Sequence, residues 1–284
     1  TFVIVNNNST AAFLEIALTA DDGSALSVNM PGLGSGSEFP IMLAAGATFV
    51  YQTDGTGDLR AGAATVTSTQ ALGVSAVFAV YDTAGHFQTE AGVGNSAPAT
   101  EFVIPIDTTG NFNTGVALYN PAATDASLTL KLIGLNGQQT SQATLTLGPS
   151  RHVARLISGA GQLFPTATNF RGTMVISSSV AVAAVTLRQN SAPLSYTSLP
   201  AVPRSEGKTQ FSLPQVANGS FAQGSFRTTF VLFNMSQVPS TSVLTLTQDN
   251  GSPFPVKMVG GGASSNTHPV VLRPGGAAFL ELST

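Results

Sequence analysis

The chain has 284 residues, only 9% of them charged against roughly 25% in an ordinary soluble domain, and a formal net charge of −3. So weak and slightly acidic a surface, with no run of Lys or Arg, offers nothing to a phosphate backbone and excludes nucleic acid as a partner. Cysteine is absent, which excludes disulfides, thiol nucleophiles and thiolate metal sites.

Thr1-Phe-Val-Ile-Val-Asn6 opens the chain as a strand, followed by a second strand in which Leu14, Ile16 and Leu18 alternate with Glu15, Ala17 and Thr19. That period of two marks one buried face. Because Thr1 opens directly on a strand pattern, for an exported protein a leader is expected to have been removed or to lie outside these residues. A Gly/Ser/Pro loop is expected from Pro31 to Pro40, then a strand over Thr48 to Thr53, a tight loop at Asp54-Gly-Thr-Gly-Asp58, and strands over Ala63–Thr67 and Gly73–Tyr81. The longest apolar run, Ala71 to Val80, is too short to span a bilayer.

The opening pattern then returns. Gly115-Val-Ala-Leu-Tyr-Asn120 and Thr229-Phe-Val-Leu-Phe-Asn234 repeat it, each followed by a Leu-rich strand and a turn at Asn136-Gly137 or Asn250-Gly251, as Asp22-Gly23 follows in the first. The residues Asn6, Asn120 and Asn234 are spaced by 114, and so are Gly23, Gly137 and Gly251. We read an all-β chain of tandem Ig-like β-sandwich repeats with a period of about 114 residues. The expected units are residues 1–100, 101–208 and 209–284, with Pro193, Pro200, Pro203 and Arg204 to Lys208 as a linker.

The copies differ at particular places. The second carries an insertion from Arg151 to Phe164, whose Val153, Leu156, Ile157 and Leu163 have the spacing of a short helix weakened by Gly159 and Gly161. In the third, Phe211-Ser-Leu-Pro214 is the counterpart of Phe102-Val-Ile-Pro105, but strands matching Ala63 to Tyr81 do not follow. Three explanations stand side by side: a fragment of a longer array, strands supplied by a neighbouring subunit, or a reduced terminal cap.

Thr114-Gly-Val-Ala-Leu-Tyr-Asn-Pro121, Leu147-Gly-Pro-Ser-Arg-His-Val-Ala-Arg155, Leu163-Phe-Pro165, Phe170-Arg-Gly-Thr173 and Tyr196-Thr-Ser-Leu-Pro200 give the middle copy a relation to a known pattern. It resembles a repeat of exported proteins from acidobacteria and some other soil and aquatic bacteria. The resemblance covers the first copy without the Ala-Arg and Leu-Phe-Pro elements and the third only in its first half. It implies Ig-like sandwiches outside the cell, and no catalytic residues.

Candidate chemistry is sparse. The three histidines, His86, His152 and His268, fall at unrelated points of the repeat and no Gly-x-Ser-x-Gly elbow occurs, so a hydrolase is not expected. Arg151, His152 and Arg155 read as a capped turn. Asp21, Asp22, Asp54 and Asp58 could offer oxygen to calcium, but turn chemistry explains them as well, and Gly32 to Gly36 and Gly260 to Gly262 are loops rather than phosphate cradles. Asn6, Asn120 and Asn234 are expected to close turns on neighbouring backbone. Phe2, Phe49, Phe230 and Phe279 are expected in the core.

No catalytic, cofactor or metal site is therefore assigned. The expected function is a non-enzymatic structural subunit of an extracellular fibre, stalk or surface layer, self-associating head to tail with strand exchange as one route. An adhesive or glycan-binding module presenting Pro31 to Pro40 and Gly260 to His268 is the alternative, and an accessory region of a larger exported enzyme the third.

Overall fold

The computed structural model describes residues 1–283 and is all-β, with antiparallel strand pairing throughout. No helix among the described residues is long and apolar enough to cross a membrane. In chain order the strands are β1 (Phe2–Val5), β2 (Ala12–Ala20), β3 (Val28–Met30), β4 (Gly34–Gly36), β5 (Glu38–Leu43), β6 (Thr48–Tyr51), β7 (Gly62–Ser68), β8 (Gly73–Tyr81) and β9 (Phe87–Gly94). There follow β10 (Ala99–Asp107), β11 (Phe112–Tyr119), β12 (Ala126–Gly134), β13 (Gln139–Leu147), β14 (His152–Leu156), β15 (Arg171–Ser191), β16 (Leu194–Leu199) and β17 (Val202–Pro203). A 3-10 turn over Arg204–Glu206 leads to β18 (Gly219–Phe221), β19 (Gly224–Phe226), β20 (Thr229–Phe233), β21 (Ser240–Thr245), β22 (Thr267–Leu272) and β23 (Ala277–Glu281).

Three hydrophobic clusters divide these strands. The N-terminal cluster lies between the sheets β6-β1-β8-β9 and β5-β2-β7, with Ile4, Ile16 and Met30 wholly buried. Along β2, Leu14, Ile16 and Leu18 turn inward as the alternation requires, and a one-residue slip would expose all of them. The central cluster is the largest, closed by β13-β12-β15-β10-β17 on one side and β14-β11-β15-β16 on the other. The C-terminal cluster is small, built on Phe230, Leu246, Val256 and Leu282 between the pairs β20-β23 and β21-β22.

The central region shows why β15 is so long. Its first part pairs with β10 and β12 and its second with β11 and β16, so one strand turns the corner between both sheets. In the N-terminal region the same work is divided between β7 and β8, with a break at Thr69 to Leu72. Beside β15 sits β10, whose Phe102, Ile104 and Ile106 are wholly buried, each worth about 1.5–3 kcal/mol. Among the described residues no strand takes that place beside β7. Accordingly Ala64 on β7 is exposed, whereas Met174, at the matching place on β15, is wholly buried.

Several expectations are corrected. The helix expected in Arg151 to Phe164 is absent: His152–Leu156 is strand β14, recruited as the edge partner of β11. Gly159 and Gly161 hold φ of +115° and +74°, which no right-handed helix contains. The inserted stretch therefore starts after β14 rather than at Arg151. Pro31 to Pro40 is not all loop but holds the turn and second strand of the β3-β4 hairpin and the start of β5. Phe211-Ser-Leu-Pro214 is not a strand, because among the described residues it has no neighbour like β15 to pair with, and Phe211 stays 71% exposed where Phe102 is 1%. Phe49 and Phe230 are core residues, while Phe2 and Phe279 are half-buried. The stretch from Pro193 to Lys208 is not all linker: Leu194–Leu199 is strand β16 paired with β15, and Val202 and Pro203 pair with Val103 and Phe102.

Candidate functional site

Each of the three asparagines occupies the same setting. The Nδ2 of Asn6 donates to the carbonyls of Thr10, Leu43 and Ala44; that of Asn120 to Thr124, Leu147 and Gly148; that of Asn234 to Val238, Leu272 and Arg273. Each Oδ1 accepts from the backbone N–H two residues on, and all three side chains are buried. These bonds hold the turn ahead of β6, β14 and β23 against the end of β1, β11 and β20. Losing one such amide would strip a donor from three carbonyls, of which that of Ala44, Gly148 or Arg273 keeps the N–H of Ala47, Arg151 or Gly276, and each carbonyl left buried and unpaired would cost about 1–3 kcal/mol.

The hairpin tips are alike as well. Gly23, Gly137 and Gly251 have φ of +83°, +81° and +82°, and the N–H of each returns to the carbonyl three residues earlier. The residue before each accepts a bond on its side-chain oxygen from the N–H after it: Ser24 to Asp22, Gln138 to Asn136, Ser252 to Asn250. Such a left-handed position favours glycine.

Two of these tips are docked, and in one way. The tip at Gly23 meets the turn Gly148 to His152: the N–H of His152 donates to the Asp21 carbonyl at 3.3 Å, and a Cβ on Gly23 would sit 3.1 Å from the Pro149 carbonyl oxygen. The tip at Gly137 meets the turn Arg273 to Ala277: the N–H of Ala277 donates to the Leu135 carbonyl at 3.1 Å, and a Cβ on Gly137 would sit 2.0 Å from the Pro274 carbonyl oxygen. The donor heads an edge strand in both cases, and its N–H points away from the ladder.

Side chains clamp the two junctions differently. At the first, His152 Nδ1 lies 2.8 Å from Asp21 Oδ1, with His152 buried and Asp21 57% exposed. Asp22 beside it is held below the usual carboxylate range mainly by the Ser24 hydrogen bonds, with Arg151 a minor contributor. Strands β9 and β16 also run side by side there: the Tyr196 N–H donates to Thr89 Oγ1 at 3.1 Å, Ser198 Oγ donates to the Gly92 carbonyl, and Phe78 meets Tyr196 edge-on at 5.7 Å. At the second junction Arg171 reaches across. Its Nη1 lies 2.7 Å from Glu281 Oε1, its guanidinium stands 5.3 Å from the Phe279 ring centroid, and its Nε binds Asp107 Oδ1 at 3.3 Å. Arg188 holds the other oxygen of that buried carboxylate at 2.8 Å. Burial alone would raise the Asp107 pKa, but bonds from Thr109 and Arg188 and the charge of Arg171 outweigh it and hold the carboxyl below its usual range. Arg204 adds a second brace, to Glu101 and to the Met235 carbonyl.

The remaining candidates do not converge. His86 contacts Asp82 at 3.1 Å in an exposed turn, and His268 meets the Ser265 carbonyl at 2.9 Å. Arg155 lies exposed further along β14. Both Asp54 oxygens are engaged, by Thr56 and by Asn29, and Asp58 lies exposed. Among the described residues no group of three His, Asp or Glu side chains is placed to hold a metal. A shallow groove of about 550 Å³ runs over the outer face of β5-β2-β7 beside Phe13 and Met42, and an open depression of about 530 Å³ beside Asn111, Phe112 and Asn113. In the latter, Asn113 is bonded to Ser158 and the Phe112 face is covered by Arg188 at 3.5 Å.

No family model, curated protein or solved structure matches the chain. The resemblance to exported bacterial repeats thus stands on its sequence motifs alone. What sequence reasoning missed is the junction itself: Asp21 with His152, Arg171 with Glu281, and Arg204 with Glu101. The only advance signal was the common spacing of the tip glycines.

Proposed function

We propose that the chain is a non-enzymatic structural protein, an array of Ig-like β-sandwich modules copied at about 114 residues and joined end to end in a bacterial extracellular fibre, stalk or surface layer. One observation carries this reading: the same turn-to-turn contact, through matching atoms, occurs at two successive places in the chain. A contact reproduced in that way sets a repeating orientation between units, which is what a spacer or fibre requires. The weakly charged, hydroxyl- and amide-rich composition supports a place outside the cell, where close packing of neighbours is tolerated. Small-angle scattering tests it. A single rigid arrangement should fit the profile of the wild type, and Gly137→Val should require a distribution of arrangements; a wild-type profile that itself requires freely tumbling regions would overturn the reading.

Strand addition between copies is a second route of self-association, favoured by one observation. Phe211 and Leu213 are exposed, at 71% and 59%, while β7 presents the edge that β10 occupies on β15. A synthetic peptide of residues 209–216 should slow amide exchange across Gly62–Ser68. Unchanged exchange at millimolar peptide removes this route.

A further inference from the structure

The third hairpin tip is built like the two docked ones, but among the described residues no turn is seated on it. A Cβ on Gly251 would meet no atom within 4 Å, Asp249, Asn250 and Gly251 are exposed, and the Asp249 carbonyl, which corresponds to those of Asp21 and Leu135, accepts no hydrogen bond among the described residues.

The N-terminal region holds the matching receptor, equally bare. Ala44 to Thr48 folds as the two receiving turns do: Ala47 N–H returns to the Ala44 carbonyl at 3.1 Å, as Arg151 does to Gly148 at 3.2 Å and Gly276 to Arg273 at 2.9 Å. The third residue of each turn, Gly46, Ser150 or Gly275, has φ of +69°, +55° or +66°. Asn6 N–H bonds the Ala47 carbonyl as Asn120 bonds Arg151 and Asn234 bonds Gly276, so the N–H of Thr48 points outward from β6 as that of His152 does from β14. Thr48 is exposed, and among the described residues nothing lies within 4 Å of a Cβ on Gly46.

We propose that the Gly251 tip of one molecule docks on the Ala44–Thr48 turn of a second copy of this chain, in the geometry of the two internal junctions. Thr48 N–H donates to the Asp249 carbonyl, and Gly251 packs against the Ala45 carbonyl. This rests on the reading of the regions as copies of one module, and it supplies that reading with a specific contact between molecules. The tip and the turn are different surfaces, so the contact is heterologous and propagates head to tail instead of closing a symmetric dimer. A turn-sized contact is small. Inside the chain an effective concentration in the millimolar range keeps it formed, whereas between molecules a dissociation constant on the order of 10⁻⁴ to 10⁻³ M is expected for so limited an interface.

The structure also supplies a gain-of-function test. Position 48 corresponds to His152 and position 249 to Asp21, and an aspartate already stands at 249. Thr48→His therefore recreates between molecules the pair that clamps the first internal junction, and should tighten association about two- to fivefold, the range of an exposed ion pair. Sedimentation velocity on the whole chain at up to about 1 mM reads this directly. The wild type should shift to faster species with concentration, Thr48→His should shift at lower concentration, and Asp249→Asn added to it should remove the gain. Gly251→Asn, which tolerates the left-handed conformation but adds a side chain at the contact, should abolish association, and so should Thr48→Pro, which removes only the donor at the first residue of an edge strand. Association that survives Gly251→Asn, or a Thr48→His chain that sediments as a monomer at 1 mM, overturns the docking. If scattering still fits one rigid arrangement in that event, the modular reading stands without it.

Discussion

The two junctions share a backbone and differ in nearly every side chain. Both consist of one N–H donated from the head of an edge strand to the tip of a hairpin, with the tip glycine under a proline carbonyl. The first is closed by His152 on Asp21 and flanked by the contact of β9 with β16; the second is drawn tighter, with Arg171 spanning Asp107, Glu281 and Phe279. The geometry therefore belongs to the elements that recur at 114 residues, and the strength of each junction to residues that do not recur.

The largest test of that division is steric. Gly137→Ala places a Cβ where the Pro274 oxygen is only 2.0 Å away, so backbone must move, in addition to the strain of φ +81°. The cost should be about 2–4 kcal/mol, combining a left-handed alanine with overpacking. Gly23→Ala has 3.1 Å to the Pro149 oxygen and should cost only about 1–2 kcal/mol. Calorimetry and amide exchange over Thr229–Phe233 and Ala277–Glu281 check this: equal effects of the two substitutions would mean that the second junction is not the tighter one.

Acid tests the second junction next. The folded-state pKa of Asp107 is depressed, so its contribution is fully present above the unfolded carboxylate value near pH 4 and is lost as pH falls through the lower folded value. Protonation frees Arg171 from one of its two carboxylates and loosens the second junction. Amide signals of Ala277 to Glu281 should therefore show a step only as pH falls below the ordinary carboxylate range, and Asp107→Asn should remove that step. A pH response that persists in Asp107→Asn assigns it to another group.

How much of this could be read in the residues depends on how local the signal is. Alternation in Leu14, Ile16 and Leu18 is written into neighbouring positions, and the structure follows it. The in-phase glycines declared a recurrent turn, but a turn glycine looks the same whether its tip is docked, as Gly137 is, or free, as Gly251 is. What lies above it comes from elsewhere in the chain. The spacing of Val153, Leu156 and Ile157 imitated a helix because a short apolar run fits either period, and the open edge of β11 decided for a strand. His152 read as part of a capped turn because its partner, Asp21, is 131 residues away.

Arg171 carries a middle-sized effect. Arg171→Ala removes the ion pair with Glu281, the Phe279 contact and one Asp107 bond together, and should cost about 1–3 kcal/mol. Arg171→Lys keeps the charge but cannot span two carboxylates with a rigid fork, so it should recover less than half of that loss. Full rescue by lysine, measured by thermal unfolding, would reduce the bridge to simple charge.

The smallest effect is expected where the clamp meets solvent. Asp21 is 57% exposed, so screening limits what its pair with His152 contributes, and Asp21→Asn or His152→Ala should show a coupling of about 0.2–1 kcal/mol in a double-mutant cycle. His152→Ala keeps the backbone N–H that donates to the Asp21 carbonyl, so the first junction should stay docked with its β9-β16 contact intact. A coupling above about 2 kcal/mol, or release of the N-terminal region by His152→Ala alone, would show that the side chain and not the recurrent backbone sets the first junction. The difference between the two junctions would then be one of kind and no longer one of degree.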